Sequence, residues 1–326
     1  MRCMQKKNSL DDMFDFLTNE PDLDDGIKQQ LLLHLQKLHS VQVNILITGA
    51  TGSGKSSTIN ALFKGEKAKV GQTLNPETMS IEKFTLDNIT LWDSPGLGHG
   101  IDQDKKHAKN ITNKLYETDS NGDALIDIVL VILDGSNRDF GTTINLINNV
   151  ILPAIDNDTK RLLVAMNKCD MALSGRHWDH ENNQPKENLV KFLDEQVAIV
   201  KQRIYESTSV SIHPIYYSAG YKEDSEEQIP YNLSKLLMFI VQHTKPEKRA
   251  IYVNDINHDP KMWSNDDKLE DYRANTEKDI WKSVLAGAVA GGKMGGDIGS
   301  FLGPVGKILG AGIGTGLGAL IGFLSS

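Results

Sequence analysis

Residues 49–57, GATGSGKSS, place three glycines, one lysine and a closing serine pair directly after the apolar run VQVNILIT. Gly49-Ala50-Thr51-Gly52-Ser53-Gly54-Lys55-Ser56 matches G-x-x-x-x-G-K-[ST] at every defined position, with Ser57 following. A loop so short of side chains lets successive backbone N–H groups turn inward around phosphate oxygens, and a following helix adds the positive end of its dipole. Lys55 then reaches the outer phosphates and the Ser56 hydroxyl ligates Mg²⁺. The bland alternative is a glycine-rich turn with no ligand, which leaves the lysine without a reason.

A phosphate loop alone does not choose a base. Asn167-Lys168-Cys169-Asp170 follows the run RLLVAM and reads N-K-x-D. Its aspartate can accept from the guanine N1–H and 2-amino groups, which adenine does not offer in that arrangement. Asn167 is expected to tie this loop to the phosphate loop, with the Lys168 stem along the base. Ser218-Ala219, after HPIYY, fits a loop in which a backbone N–H meets guanine O6. Between these motifs, Asp93-Ser94-Pro95-Gly96 reads D-x-x-G. Asp93 is placed to hold Mg²⁺ through water, and the Gly96 N–H to sense a γ-phosphate; an acidic turn after a strand is the plainer alternative. A threonine that ligates Mg²⁺ only with the triphosphate bound completes the set. Thr78 is the choice, because its place just before MSIEKFTL resembles that of the corresponding threonine in translation-factor-like small GTPases, with Thr73 as runner-up.

These residues need a scaffold, and the flanking runs supply one. VQVNILIT is β-branched and apolar, and Lys55 to Phe63 reads as a helix. MSIEKFTL and NITLWD form an antiparallel hairpin through an Asp87-Asn88 turn. IDIVLVILD, RLLVAMN and HPIYYSA are short apolar runs of the kind that make buried parallel strands, spaced widely enough for crossover helices. The expected fold is an α/β three-layer sandwich with a mostly parallel six-stranded sheet and one antiparallel strand, its ligand beyond the carboxyl ends of the strands.

Through GATGSGKS, Thr78, DSPG, NKCD and SA the chain resembles the Era-like P-loop GTPases (the TrmE-Era-EngA-septin group) over roughly residues 40 to 245. GATGSGKSS followed by WDSPGLGHG looks most like the bacterial prophage-type relatives described as ribosome-binding GTPases, and more distantly like immunity-related GTPases and septins. The resemblance implies GTP and GDP as ligands, Mg²⁺ as cofactor, GTP hydrolysis as activity, and loops that order around the γ-phosphate and relax after hydrolysis. Two departures matter. Potassium-activated members carry asparagine where this chain has Gly52, and Ras-like proteins place a water-orienting glutamine where it has Leu97. Slow intrinsic turnover follows, or a catalytic group from elsewhere. His99 is the candidate for orienting water, against a solvated loop histidine. Arg138 in DGSNRDFG is a candidate arginine finger across a homodimer formed through the G domain, a contribution worth ~10³ or more in rate where it occurs, against an ordinary surface ion pair. His177 and His180 suggest a metal pair but lack further ligands at suitable spacing, so a polar loop is favoured.

Composition narrows the partners. With 326 residues the chain can bury a full core, and its 39% hydrophobic and 24% charged residues are ordinary for a soluble protein. A net charge of −8 argues against broad binding to nucleic acid or anionic lipid. Two cysteines, Cys3 and Cys169, show neither metal nor disulfide spacing, and the N-terminus lacks an apolar core for a secretory signal. The expected location is cytoplasmic, peripheral to the inner face of a membrane if the C-terminus engages lipid.

Outside the G domain of residues 41–245 three segments are expected: an N-terminal helical segment at 1–40, a connecting segment at 246–282 with scattered aromatics, and a glycine-rich hydrophobic hairpin at 283–326. Ile27, Leu31, Leu32, Leu35 and Leu38 give the first its helical period. The last carries fourteen of the 28 glycines, stepping by four from Gly287 to Gly303 and again from Gly306 to Gly322, with Gly303-Pro304 between. Each interior glycine costs a helix ~1 kcal/mol against alanine, so close backbone packing must offset the total. Small-x-x-x-small stripes allow that approach in membranes. The limb from Ile308 to Leu324 has 17 uncharged residues, the short end of the ~17 to 25 that span a bilayer, while the first limb holds Lys293 and Asp297. A hairpin that inserts partly, or converts between packed and lipid-bound forms, is favoured over a tail that docks on the G domain or mediates oligomerisation. The expected function is a GTPase switch coupled to membrane association or self-assembly. A ribosome or RNA-associated GTPase and an assembly protein with negligible turnover are the alternatives; against the former, no basic G-x-x-G domain follows.

Overall fold

The computed structural model describes residues 9–19, 21, 24–63, 81–98, 100–223 and 226–291. Thr73, Thr78, His99 and the hairpin beyond Gly291 lie outside the described residues. Six strands build the central sheet: β1 (Val43–Gly49), β2 (Glu82–Thr85), β3 (Ile89–Asp93), β4 (Ile128–Asp134), β5 (Leu162–Asn167) and β6 (Ile215–Tyr216). Their spatial order is β2-β3-β1-β4-β5-β6. Every pairing is parallel except β2 with β3, where Glu82 faces Asp93. This is the three-layer α/β arrangement, mostly parallel with one antiparallel strand, anticipated from the apolar runs.

Alternation along β1, β4 and β5 covers both faces, as a crossover-connected sheet requires. On β4, Ile128, Leu130 and Ile132 enter one apolar core while Val129, Val131 and Leu133 enter the other. The second core is closed by α4 (Ile101–Leu115), α5 (Gly141–Leu146) and α6 (Glu187–Thr208). The first is closed by helices from both ends of the chain: α1 (Ser9–Asn19), α2 (Asp25–Leu38), α3 (Lys55–Leu62), α7 (Leu233–His243) and α8 (Tyr272–Gly291). Asp24 caps α2, its Oδ1 accepting from the N–H groups of Gly26 and Ile27 at 2.9 and 3.2 Å.

Residues 246–282 do not behave as a connector. Tyr252, Trp263, Tyr272 and Trp281 are at most 2% exposed and belong to the protein's interior, as do the polar residues Asn254, Asp255, Thr276 and Glu277 between them, whereas Lys261, Lys268 and Asp271 face outward. Burying four large aromatic rings contributes several kcal/mol, which is why a segment polar on average still folds against the sheet. Phe16 of α1 meets the Trp281 ring edge-on at 6.1 Å. At Gly287, the first residue of the glycine stripe, a Cβ would collide with the His34 ring of α2. The start of the stripe thus serves close helix packing within the protein.

A buried polar knot ties these terminal helices to the β2–β3 turn. The Asn88 Nδ2 donates to the carbonyls of Leu38 and Val41 at 3.1 and 2.9 Å, and its Oδ1 accepts from Asn254 at 2.8 Å. Asp255 accepts from the N–H groups of Asp87 and Asn88 at 2.9 and 2.7 Å, and Asn254 accepts from the Leu10 N–H at 3.0 Å. Low solvent access makes each of these bonds expensive to leave unmade. The turn between the edge strand β2 and its neighbour β3 is therefore gripped by residues from both ends of the described chain.

Candidate functional site

The phosphate loop leaves β1 at its carboxyl end and turns into α3 through Gly54, whose φ of +87° a side chain would strain and whose Cβ would meet the Asn167 amide. Among the described residues the N–H groups of Gly52, Gly54, Lys55, Ser56 and Ser57 have no acceptor within the protein. Five such donors at a helix start form an anion nest. Lys55 Nζ donates to the carbonyls of Gly49 and Ala50 at 3.3 and 3.1 Å. Burial draws its pKa below the usual lysine range, and the Asp93 carboxylate partly restores it.

The D-x-x-G turn lies directly on this loop. The Thr51 N–H donates to the Leu97 carbonyl at 3.0 Å, and the Leu97 N–H to the Gly49 carbonyl at 3.3 Å. A Cβ on Gly96 would strike Thr51, so only glycine allows the approach. Leu97 itself is buried in the second core; where a water-orienting amide would be needed, the side chain packs instead.

Asp93 ends β3 beside Lys55, and its buried Oδ1 has no hydrogen-bond partner. Burial, with a smaller push from Glu82 and an opposing pull from Lys55, raises its pKa to about 6. An orphaned carboxylate oxygen with the Ser56 hydroxyl on the adjoining helix turn makes a hard oxygen set that suits Mg²⁺. The folded state holds the Asp93 proton more tightly than the unfolded chain, so stability falls as pH rises between roughly 4 and 6. Above that window the ionised group costs about 3 kcal/mol if nothing offsets it. Asp93→Asn is expected to raise the melting temperature of nucleotide-free, metal-free protein by a few degrees at pH 7.5, and to abolish the Mg²⁺ dependence of nucleotide affinity. A melting temperature that falls in scanning calorimetry would contradict this.

Asn167 joins three loops. Its Nδ2 donates to the Ser53 carbonyl at 3.0 Å and its Oδ1 accepts from the Ala219 N–H at 2.9 Å. The Ala219 N–H, read for guanine O6, is thus already held by Asn167 and must be shared with a base. Lys168 sits at a φ of +59°, a conformation non-glycine residues adopt at a cost, and its Nζ pairs with Asp134 Oδ2 at 2.8 Å. Asp134 closes β4, and no motif in the sequence points to it. Asp170 is 6% exposed, and its Oδ1 is buried without a partner. A buried carboxylate oxygen left unbonded by the protein is set to accept from a ligand. Ser218 supplies its Oγ to the Gly220 N–H at 3.2 Å.

Other candidates are placed elsewhere. Arg138 is exposed and lies over the Phe192 ring at 5.5 Å. His177 and His180 are exposed around the two-residue pairing of Trp178–Asp179 with Gln184–Pro185, and no cluster of three metal-ligating side chains occurs among the described residues.

A phosphate loop after β1, D-x-x-G after β3 and N-K-x-D after β5 of this sheet define the class: a P-loop GTPase-type domain. Residues 44–168 match the family model described as 50S ribosome-binding GTPase. The chain is 30% identical over 141 residues to GTPase Der of a Nitratiruptor species, covering 41% of this chain and 27% of that protein. It is 32% identical over 91 residues to Interferon-gamma-inducible GTPase 10 of Mus musculus, covering 26% of this chain and 21% of that one. It therefore spans under a third of the length of either relative. Among solved structures, Toc33 from Arabidopsis thaliana in complex with GDP and Mg²⁺ aligns with a TM-score of 0.42 at 14% identity, over 75% of this chain and 99% of that one. The segment carrying the motifs is homologous to GTPases. No described helix is long and apolar enough to cross a membrane.

Proposed function

We propose that the protein binds GTP with Mg²⁺, hydrolyses it slowly, and acts as an Era-like switch. The observation that carries this is the Asn167 bridge, which fixes the phosphate loop, the Asp170 carboxylate and the Ser218-Ala219 loop as one unit. Lys55 and the nest of N–H groups hold the phosphates, Ser56 and Asp93 the metal, with Thr78 joining it in the triphosphate state. Buried Leu97 supports slow turnover, because it offers nothing to polarise water; His99 or a second copy of the chain would supply that group.

The output we assign is membrane association or self-assembly through residues 292–326, driven by the β2–β3 turn and read out through the terminal helices that grip it. Liposome sedimentation with GDP or a non-hydrolysable GTP analogue tests it, comparing full-length protein with a chain ending at Gly291. An earlier stop would remove part of α8. Nucleotide-dependent sedimentation of the full chain alone is expected; equal sedimentation of both chains would overturn the membrane assignment. Turnover that rises with protein concentration would support self-assembly. Because the matching family description names the ribosome, co-sedimentation with ribosomal subunits is the control that tests an Era-type role.

A further inference from the structure

Every group in the nucleotide site lies beyond the carboxyl ends of the strands. The opposite end of the sheet holds a cavity of about 670 Å³, formed where residues 124–127, 158–162 and 211–213 lead into β4, β5 and β6, and closed by the end of α7 and residues 244–249. Strand β5 separates the two ends by roughly 20 Å. Its floor is apolar, with Ile126, Leu162 and Ile212 buried and Phe239 beside them.

Its rim is cationic. Lys160, Arg161, Lys245 and Arg249 line it, although the chain as a whole carries a net charge of −8. Two carboxylates oppose them, and both are engaged. Asp127 accepts from Lys248 Nζ at 2.8 Å and from the Asn44 N–H at 2.9 Å, while Asp158 caps a turn through the Lys160 N–H at 3.0 Å. Arg161 donates to the Ile126 carbonyl at 2.8 Å, and Arg249 to the carbonyls of Thr244 and Gln242 at 3.0 and 2.8 Å. These bonds orient both guanidinium groups and leave each with further donors. Lys160 and Lys245 make no ion pair among the described residues. His243 stacks on Phe239 with ring centroids 6.2 Å apart, and burial lowers its pKa.

We propose that this cavity is a second ligand site, separate from the nucleotide site, that takes a small amphipathic anion: a carboxylate or phosphate head on an apolar body. The volume falls in the range of small-molecule sites, roughly 300–1,000 Å³, and is too large for a bare oxyanion. The apolar floor covers the body, and the oriented guanidinium and free ammonium groups meet the head by charge-assisted hydrogen bonds. A neutral ligand of the same shape gains only the first of these.

Isothermal titration calorimetry of the full-length protein, with GDP and Mg²⁺ present throughout, tests the assignment with octanoate, octyl phosphate, 1-octanol and inorganic phosphate. One of the two amphipathic anions is expected to bind at a single site at least about tenfold more tightly than both octanol and inorganic phosphate. The stronger of the two identifies the head group. The double variant Lys160→Glu/Lys245→Glu, at two exposed positions, is expected to weaken that binding at least about tenfold with an unchanged melting temperature. Ala124→Phe, at the exposed edge of the cavity, is expected to weaken binding of the body in the same assay. Equal affinity for octanol and the anions, affinity unmoved by the charge reversal, or no heat from either anion at millimolar concentration would each overturn the proposal.

Discussion

Asp170→Asn is expected to lower GTP affinity about a hundredfold or more while creating affinity for xanthosine triphosphate. The carboxylate is a pure acceptor, matched to the adjacent N1–H and 2-amino donors of guanine. Each hydrogen bond to a charged group is worth about 1.5–3 kcal/mol, so losing the charge across two of them reaches that factor. Xanthine carries a carbonyl at C2, to which an asparagine amide can donate. The fold should tolerate the change, because Asp170 Oδ1 has no partner within the protein and removing a buried charge relieves desolvation. Competition for a fluorescent nucleotide measures both affinities. A variant that keeps its preference for GTP over ATP and over the xanthine nucleotide would remove Asp170 from the base site.

Lys55→Ala is expected to weaken GTP binding about a thousandfold, with GDP affected less. A unit charge pair about 4 Å apart near a protein surface contributes roughly 4 kcal/mol, and Lys55 is a desolvated cation already aimed by the Gly49 and Ala50 carbonyls. Lys55→Arg should rescue little, because a planar fork does not reproduce a compact ammonium held between two carbonyls. Equilibrium binding with both nucleotides separates the cases. Comparable losses for the two would place Lys55 away from the terminal phosphate.

The motifs of the proposed nucleotide site can be read from the sequence because their chemistry is local. Gly49, Asp93 and Asn167 each end an apolar strand, and a strand buried on both faces reads as a continuous apolar run that marks where such motifs begin. The helical layer formed by the two termini was harder to read. In α1, Leu10, Met13 and Leu17 recur at helical spacing, but Asp11, Asp12 and Asp15 mask the stripe. Residues 246–282 are polar on average, and only the structure shows that Tyr252, Trp263 and Trp281 converge on one core. Neither the Lys168–Asp134 pair nor the Asn88 knot has a sequence signature. Both join residues far apart in the chain through hydrogen bonds that no periodicity encodes.

Burial of one sheet face by both ends of the chain bears on how the protein is made. Val43, Ile45 and Ile47 of β1 leave the ribosome early, yet Ile280, Trp281 and Leu285, which share their core, are translated far later. Until then the nascent sheet carries a bare apolar flank, the kind of transient surface on which chaperones act and through which partly made chains associate. Long-range closure of this sort also slows the final step of maturation. A recombinant fragment trimmed to residues 41–245 would be held at that unfinished stage, whereas one ending at Gly291 can complete it.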